Sequence, residues 1–296
     1  MRTRSLTLSA LTALALGGTL AATTTPALAA HGNLTITGLT ANERLVTFKA
    51  NAPGTILSEV KVTGVAGDLQ GIDFRPATGG LYGVGVTDQG GTVYTIDPVT
   101  GAATAVPGAP LLPVAGAVSI DVNPAADALR VVDSTGTNLR LRFSDNVLFT
   151  DGDLGYLPGD ANAGAAPTVG AIAYTNNQTR TGTVLYDLDT ALGALAVQDP
   201  PNAGGLTTVA DFDEPTKTQA TGFDIYQREP AADGTPRQTW AFVSVVDKGR
   251  STFYELDLAT GETKVFAPNP GDPASGTVIG GRPFVTDLAV RPAQGV

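Results

Sequence analysis

Three aspartates stand at one position of a recurring fragment. Asp73 lies in Gly71-Ile72-Asp73-Phe74-Arg75-Pro76, Asp121 in Ser119-Ile120-Asp121-Val122-Asn123-Pro124, and Asp224 in Gly222-Phe223-Asp224-Ile225-Tyr226-Gln227. A repeat that delivers carboxylates to one place supplies the groups used for metal binding or for general acid/base work, as in glycosidases. The structural alternative has each aspartate accepting backbone N–H groups of the neighbouring unit, since repeat-wise residues usually serve repeat-wise structure. It is the preferred reading. Arg75 and Arg291, two residues beyond the motif position, could pair with these acids.

A second acidic set lies in Asp151-Gly152-Asp153-Leu154-Gly155-Tyr156-Leu157-Pro158-Gly159-Asp160. Asp151, Asp153 and Asp160 offer oxygen ligands of the kind calcium takes. The resemblance to a calcium loop is superficial, because Tyr156 stands at the sixth position in place of glycine and no glutamate closes the segment. A solvated acidic turn accounts for the same residues. Tyr156 and Phe212, with Asp213 and Glu214 beside the latter, are the candidate ligand contacts, and Asp272 adds one more loop acid. Imidazole and thiolate chemistry is excluded. His31 is the only histidine and there is no cysteine, so neither Ser-His-Asp nor Cys-His catalysis can be assembled. No phosphate-binding or dinucleotide fingerprint sits between a strand and a helix.

The elements that must position these residues come from the repeat. Two further echoes, Ala171-Ile172-Ala173-Tyr174-Thr175-Asn176 and Asp287-Leu288-Ala289-Val290-Arg291-Pro292, bring the copies to five. The motif residues Asp73, Asp121, Ala173, Asp224 and Ala289 are separated by 48, 52, 51 and 65 residues. The return from Ala289 to Asp73 through both chain ends is about one more repeat if cleavage follows Ala30. Each repeat resolves into four short strands rich in Val, Thr and Leu, with Gly and Asp between them. The repeat carrying Asp73 reads as Ile72–Arg75, Leu81–Val86, Thr92–Asp97 and Ala102–Val106. The repeat carrying Ala173 is looser, with its second strand expected at Thr183–Asp187. A second pattern, Tyr94-x-Ile96-Asp97-x-x-x-Gly101, returns at Tyr254 to Gly261 and at Tyr186 to Gly193, the last one strand earlier in its repeat.

Four-stranded units repeated radially make a β-propeller. Five blades match the motif count. Thr286–Arg291 is expected to complete the blade formed by Leu34–Leu39, Arg44–Lys49 and Ile56–Val62, so that the two chain ends close the ring. The first strand of each blade would line a channel. The long connections Pro107–Val118, Asp151–Val169, Asp211–Thr221 and Ala267–Val285 would gather at one mouth, where binding usually resides. The recurring tyrosines and Trp240 read as packing between blades. Arg130, Arg140 and Arg142 read as an exposed blade face, with anion binding as the alternative.

Arg2 and Arg4, the apolar run Leu6 to Leu20 and Ala27-Leu28-Ala29 form an export signal cleaved near Ala29 or Ala30. The mature chain, residues 31–296, is then expected to be secreted or periplasmic. Removing two arginines and no acid takes the formal net charge from −10 to −12. Such a field repels phosphates and anionic headgroups, so nucleic acid and membrane partners are not expected. A monomer without disulfides, held by its core, is expected.

The runs Gly71-Ile72-Asp73-Phe74-Arg75-Pro76-Ala77-Thr78-Gly79, Asn138-Leu139-Arg140-Leu141, Gly159-Asp160-Ala161-Asn162-Ala163-Gly164, Ala173-Tyr174-Thr175-Asn176 and Gly222-Phe223-Asp224 resemble an uncharacterised bacterial family, domain of unknown function 4394. The resemblance spans essentially the whole mature chain and implies an exported propeller-like domain, with no catalytic residues to carry over. Arg142-Phe143-Ser144-Asp145 departs from the family's Asn-Pro-type turn and leaves that hairpin's geometry open. The functional expectation is a non-catalytic binding or scaffold module acting through its long-loop face on a glycan, peptide or envelope partner. The alternative is a hydrolase, calcium-dependent and lactonase-like or a carboxylate glycosidase, with acids at the channel mouth. No cofactor is required, although calcium is compatible.

Overall fold

Short runs of alternating branched residues, punctuated by Asp and Gly, fold among the described residues as 21 strands with a single 3-10 turn at Pro201–Ala203. The computed structural model describes residues 34–175, 182–212, 221–228, 237–247, 249–265, 278–280 and 284–291. The expected export signal, His31, Asp213, Glu214 and Asp272 lie outside the described residues.

In chain order, β1 (Thr35–Thr40), β2 (Arg44–Lys49) and β3 (Ala52–Lys61) belong to the first blade. The second contains β4 (Asp68–Arg75), β5 (Gly80–Thr87), β6 (Gly90–Ile96) and β7 (Ala103–Ala105). The third contains β8 (Val118–Asn123), β9 (Ala128–Asp133), β10 (Asn138–Arg142) and β11 (Val147–Thr150). After the two-residue β12 (Gly155–Tyr156), the fourth contains β13 (Val169–Tyr174), β14 (Leu185–Asp189), β15 (Ala194–Gln198) and β16 (Gly205–Asp211). The fifth contains β17 (Thr221–Arg228), β18 (Gln238–Asp247), β19 (Arg250–Leu256) and β20 (Thr263–Val265), and β21 (Val285–Val290) ends the described strands. Within the blades every pairing is antiparallel. The exception is at the outer edge of the fourth, where β12 runs parallel to β16.

The chain is a five-bladed β-propeller, closed as its repeat count requires. Strand β21 pairs with β1 in the order β21-β1-β2-β3, with Leu288 opposite Gly38 and Ala289 opposite Thr37. The inner strands β21, β4, β8, β13 and β17 touch one another in a ring. Five apolar clusters fill the five seams, one between each pair of neighbouring blades. The seam joining the fifth blade to the first is the most aromatic. Phe253 meets Phe48 edge-on at 5.2 Å and stacks on Phe242 at 5.4 Å, while Trp240 stacks on Tyr226.

The Asp-x-x-x-Gly pattern shows why the blades recur. Asp97 accepts the N–H groups of Val99 and Thr100, and Gly101 N–H donates to the Asp97 carbonyl at 2.8 Å. Asp189 with Gly193 and Asp257 with Gly261 repeat the arrangement. Gly101 has φ 75°, and a Cβ there would sit 2.1 Å from the Lys61 carbonyl oxygen, so glycine is required. The Tyr186 copy ends β14, a second strand, whereas the other two end third strands. That strand ends two residues later than expected because its turn is set by Asp189. The hairpin after Leu141 is built by Asp145, which binds the Arg142 guanidinium and accepts Val147 N–H. Arg130 corrects the expectation of an exposed arginine face. It is fully buried between the third and fourth blades, where four side chains accept its N–H groups.

Candidate axial binding site

The inner strands bring Asp73, Asp121 and Asp224 to the axis. One carboxylate oxygen from each lies within 4.8 Å of the others, and all three residues are buried. Each also clasps a neighbouring strand. Asp73 on β4 accepts Val122 N–H of β8 at 2.8 Å, as well as its own neighbour Phe74 N–H. Asp121 on β8 accepts Tyr174 N–H of β13. Asp224 on β17 accepts Val290 N–H of β21 in a short hydrogen bond, and Ile225 N–H. Two residues before the equivalent Ala289, Asp287 accepts Ile72 N–H of β4 at 2.8 Å and also Phe223 N–H of β17. Ser119, in the corresponding tier of β8, accepts Ile172 N–H. The β13–β17 contact receives no such clasp from Ala171 or Ala173.

This motif carried one signal that position-by-position comparison overlooks: Asp287 sits in a second tier. The four acids share a low-dielectric channel. Burial is the main cause that pushes Asp73 and Asp121 well above the ordinary carboxylate range, and neighbouring charge adds to it. Burial likewise raises Asp287, and it moves Asp224 up to about 7. Burial and mutual repulsion therefore favour proton uptake by these acids, or a cation shared between them. Their oxygen separations suit a hard ion bound at roughly 2.3–2.6 Å by each ligand, so these are the residues that could hold calcium.

Above the acids, toward the ends where the inner strands begin, lies a cavity of about 420 Å³. Gln70, Val118, Gly170, Thr221 and Thr286 line it. Each stands three residues before its motif position, so all five blades contribute one equivalent residue. At about 3.3 Å per residue, the motif carboxylates sit roughly 10 Å further down the strands. Ser134 and Thr190, from turns between second and third strands, and Thr168, from the connection into β13, add hydroxyls. None of the lining residues is charged. This is the mouth where the long connections arrive.

The loop residues take other places. Asp151 is ion-paired to Arg130 at 2.7 Å and to Arg140 at 3.1 Å, and Asp153 is exposed. Asp160 accepts the N–H groups of Asn162 and Thr208 and the Thr208 hydroxyl. Among the described residues these three do not converge on a common point. Tyr156 is buried with its hydroxyl donating to Asp189, and Phe212 is buried against the seam of the fourth and fifth blades. Nothing in the cavity lining stood out in the sequence, because Thr, Ser, Gly and Ala are abundant everywhere.

No curated protein matches the sequence. Solved structures with a similar course include a protein of unknown function from Bacteroides thetaiotaomicron. It is 16% identical with a TM-score of 0.44, covering 75% of this chain and 54% of that one. A chain of a nidogen/laminin complex is 9% identical with a TM-score of 0.46, covering 88% and 99%. A putative 6-phosphogluconolactonase from Bacteroides uniformis is 12% identical with a TM-score of 0.42, covering 80% and 84%. The chain spans about half to two thirds of the length of several of the solved chains it matches. At these identities and TM-scores the likenesses carry no inference of function. Among the described residues no helix is long and apolar enough to cross a membrane. A family model matches residues 44–274, most of the sequence, and the chain belongs to that family, the domain of unknown function DUF4394.

Proposed function

We propose that this protein is an exported, non-catalytic binding module that takes a compact, polar ligand without negative charge at the loop-side mouth of its channel. The observation that carries this reading is the uncharged, hydroxyl-bearing cavity to which all five blades contribute. Hydroxyl and amide groups set in a mainly apolar lining that includes Leu69 and Val118 favour a neutral glycan or similar polyol, whose hydroxyls bond the former and whose C–H faces cover the latter. A phosphorylated or carboxylated ligand would meet no lining cation and would face four acids below. The carboxylates available as acid and base accept backbone N–H groups, a role in holding blades together.

The test is a glycan array and calorimetry with the mature chain, alongside turnover assays with lactones and glycosides. Ala117→Trp should block binding, because Ala117 is an exposed lining residue whose hydrogen bonds to Ser134 are made by its backbone. Binding of neutral glycans without turnover, lost in the tryptophan variant, is expected. Turnover, or binding confined to anionic compounds, would overturn the reading. The convergence of three carboxylate oxygens favours one alternative, a calcium-dependent hydrolase using the axial acids. A melting temperature unmoved by calcium or a chelator would remove it.

A further inference from the structure

Between the third and fourth blades, the apolar seam of Val132, Ile172, Leu185 and Ala196 is crossed by buried polar side chains. On β9, Arg130 stands opposite Asp121 of β8 and Arg140 of β10, so the three share one blade face. Its guanidinium donates to Asn138, Asp151 and Asn202, each at 2.7 Å, and to the Tyr174 hydroxyl at 3.3 Å. From the other side, β14 places Asp187 opposite Ala196, and Gln198, two residues along β15, lies on the same face. Asp187 has no exposed surface and Gln198 almost none.

Neither Asp187 oxygen has a hydrogen-bond partner, and neither does Gln198 Oε1. Orphaned buried acceptors are costly, and native interiors rarely keep them. The donors nearest in charge, those of Arg130, are directed at other acceptors. Arg130 and Arg140 both pair with Asp151, and Arg130 also faces Asp121, so no cation is left to compensate a charged Asp187. A proton on Asp187 removes that charge and turns one orphaned acceptor into a donor for Gln198.

We infer that Asp187 is held in this seam as the neutral acid, and that losing its proton makes the joint between the third and fourth blades pH-responsive. Burial pushes Asp187 up to about 8, Asp189 adds to the rise, and Arg130 opposes it. The groups facing it are Arg130 from β9, Asp189 on its own strand and Tyr156 from β12. Behind Arg130 stand Asp151 and Tyr174. Because the folded-state value is raised, the associated stability is full in acid and is lost as pH rises through about 8. Ionised Asp187 then competes for Arg130 and draws it from Asn202 and Tyr174. The joint adjoins the channel mouth through Asp189, which also accepts the N–H of the cavity residue Thr168. The inference does not depend on what the cavity binds.

Asp187→Asn keeps the shape and cannot ionise. Melting temperatures of full-length mature protein and variant, measured without ligand from pH 4 to 9, should lie closest at pH 4 and separate steadily up to about pH 8. The variant should be the more stable there. The axial acids titrate equally in both proteins, so the difference isolates Asp187. Parallel curves over the whole range would overturn the inference. Should the variant not fold, the ¹³Cγ shift of Asp187 in the unmodified protein decides. A midpoint near 8 supports the neutral acid, and one at or below 4.5 refutes it.

Discussion

Replacing Asp224 with asparagine should reverse its effect on stability between pH 5 and pH 8. In the unfolded chain an aspartate titrates near 3.9. In the folded ring burial carries Asp224 up to about 7. The folded state therefore binds the proton more tightly, and stability falls as pH rises through the interval between those values. A shift of about three units corresponds to about 4 kcal/mol. Asparagine has one acceptor oxygen, while two N–H groups, those of Ile225 and Val290, point at the site. Turning an amide against one of them costs about 1–3 kcal/mol. At pH 5, where about 1.5 kcal/mol of the ionisation cost is already present, the variant should lie between level and about 1.5 kcal/mol less stable. At pH 8, where only the unmodified protein has borne the ionisation cost, the variant should be more stable by roughly 1–3 kcal/mol. Trp240, buried in the seam of the fifth and first blades and the only tryptophan, reports unfolding by its fluorescence in urea titrations at each pH. A deficit that stays constant from pH 5 to pH 8 would mean that Asp224 remains ionised throughout and would refute the reasoning.

Three other outcomes follow from the same contacts. Ending the chain before Val285 removes the strand that closes the ring and its buried Val285, Leu288 and Val290, a loss of about 5–9 kcal/mol from apolar burial alone. That is comparable to a whole domain's stability, so the truncated chain should lack a cooperative melt by circular dichroism. Asp151→Ala leaves the buried Arg130 without its carboxylate and should cost about 3–5 kcal/mol in denaturant titrations, mostly insensitive to salt. Gly222→Ala places a Cβ 2.7 Å from Asp287 Cα, against backbone, and should lower stability by about 1–3 kcal/mol, whereas an unchanged urea midpoint would show that the axis can expand.

The ring was legible in the sequence because its determinants are local and repeated. Asp97 and Gly101 set a turn within five residues, and the same pair recurs at Asp257 and Gly261. Closure followed from counting, since the two chain ends together supply one repeat. The partners of the loop residues are not local. Asp151 meets Arg130 from a strand 21 residues earlier, and Asn202 joins them from 72 residues away. Tyr156 enters the sheet only because β12 lies beside β16. Arg130 looked like a surface residue because alternation reports which blade face it occupies. It does not report whether the next blade covers that face. The cavity escaped notice for a related reason, as Gln70, Val118, Gly170, Thr221 and Thr286 share a position in the ring and no common chemistry.

The most direct measurement is nuclear magnetic resonance mapping of whichever neutral glycan or polyol the array identifies, titrated into the isotope-labelled mature protein. The account predicts that amide shifts concentrate at Gln70, Thr168, Gly170, Thr190, Thr221 and Thr286, around the mouth where the five inner strands begin. Perturbations confined to the outer strands β3, β7, β11, β16 and β20, with those six amides unmoved, would contradict it.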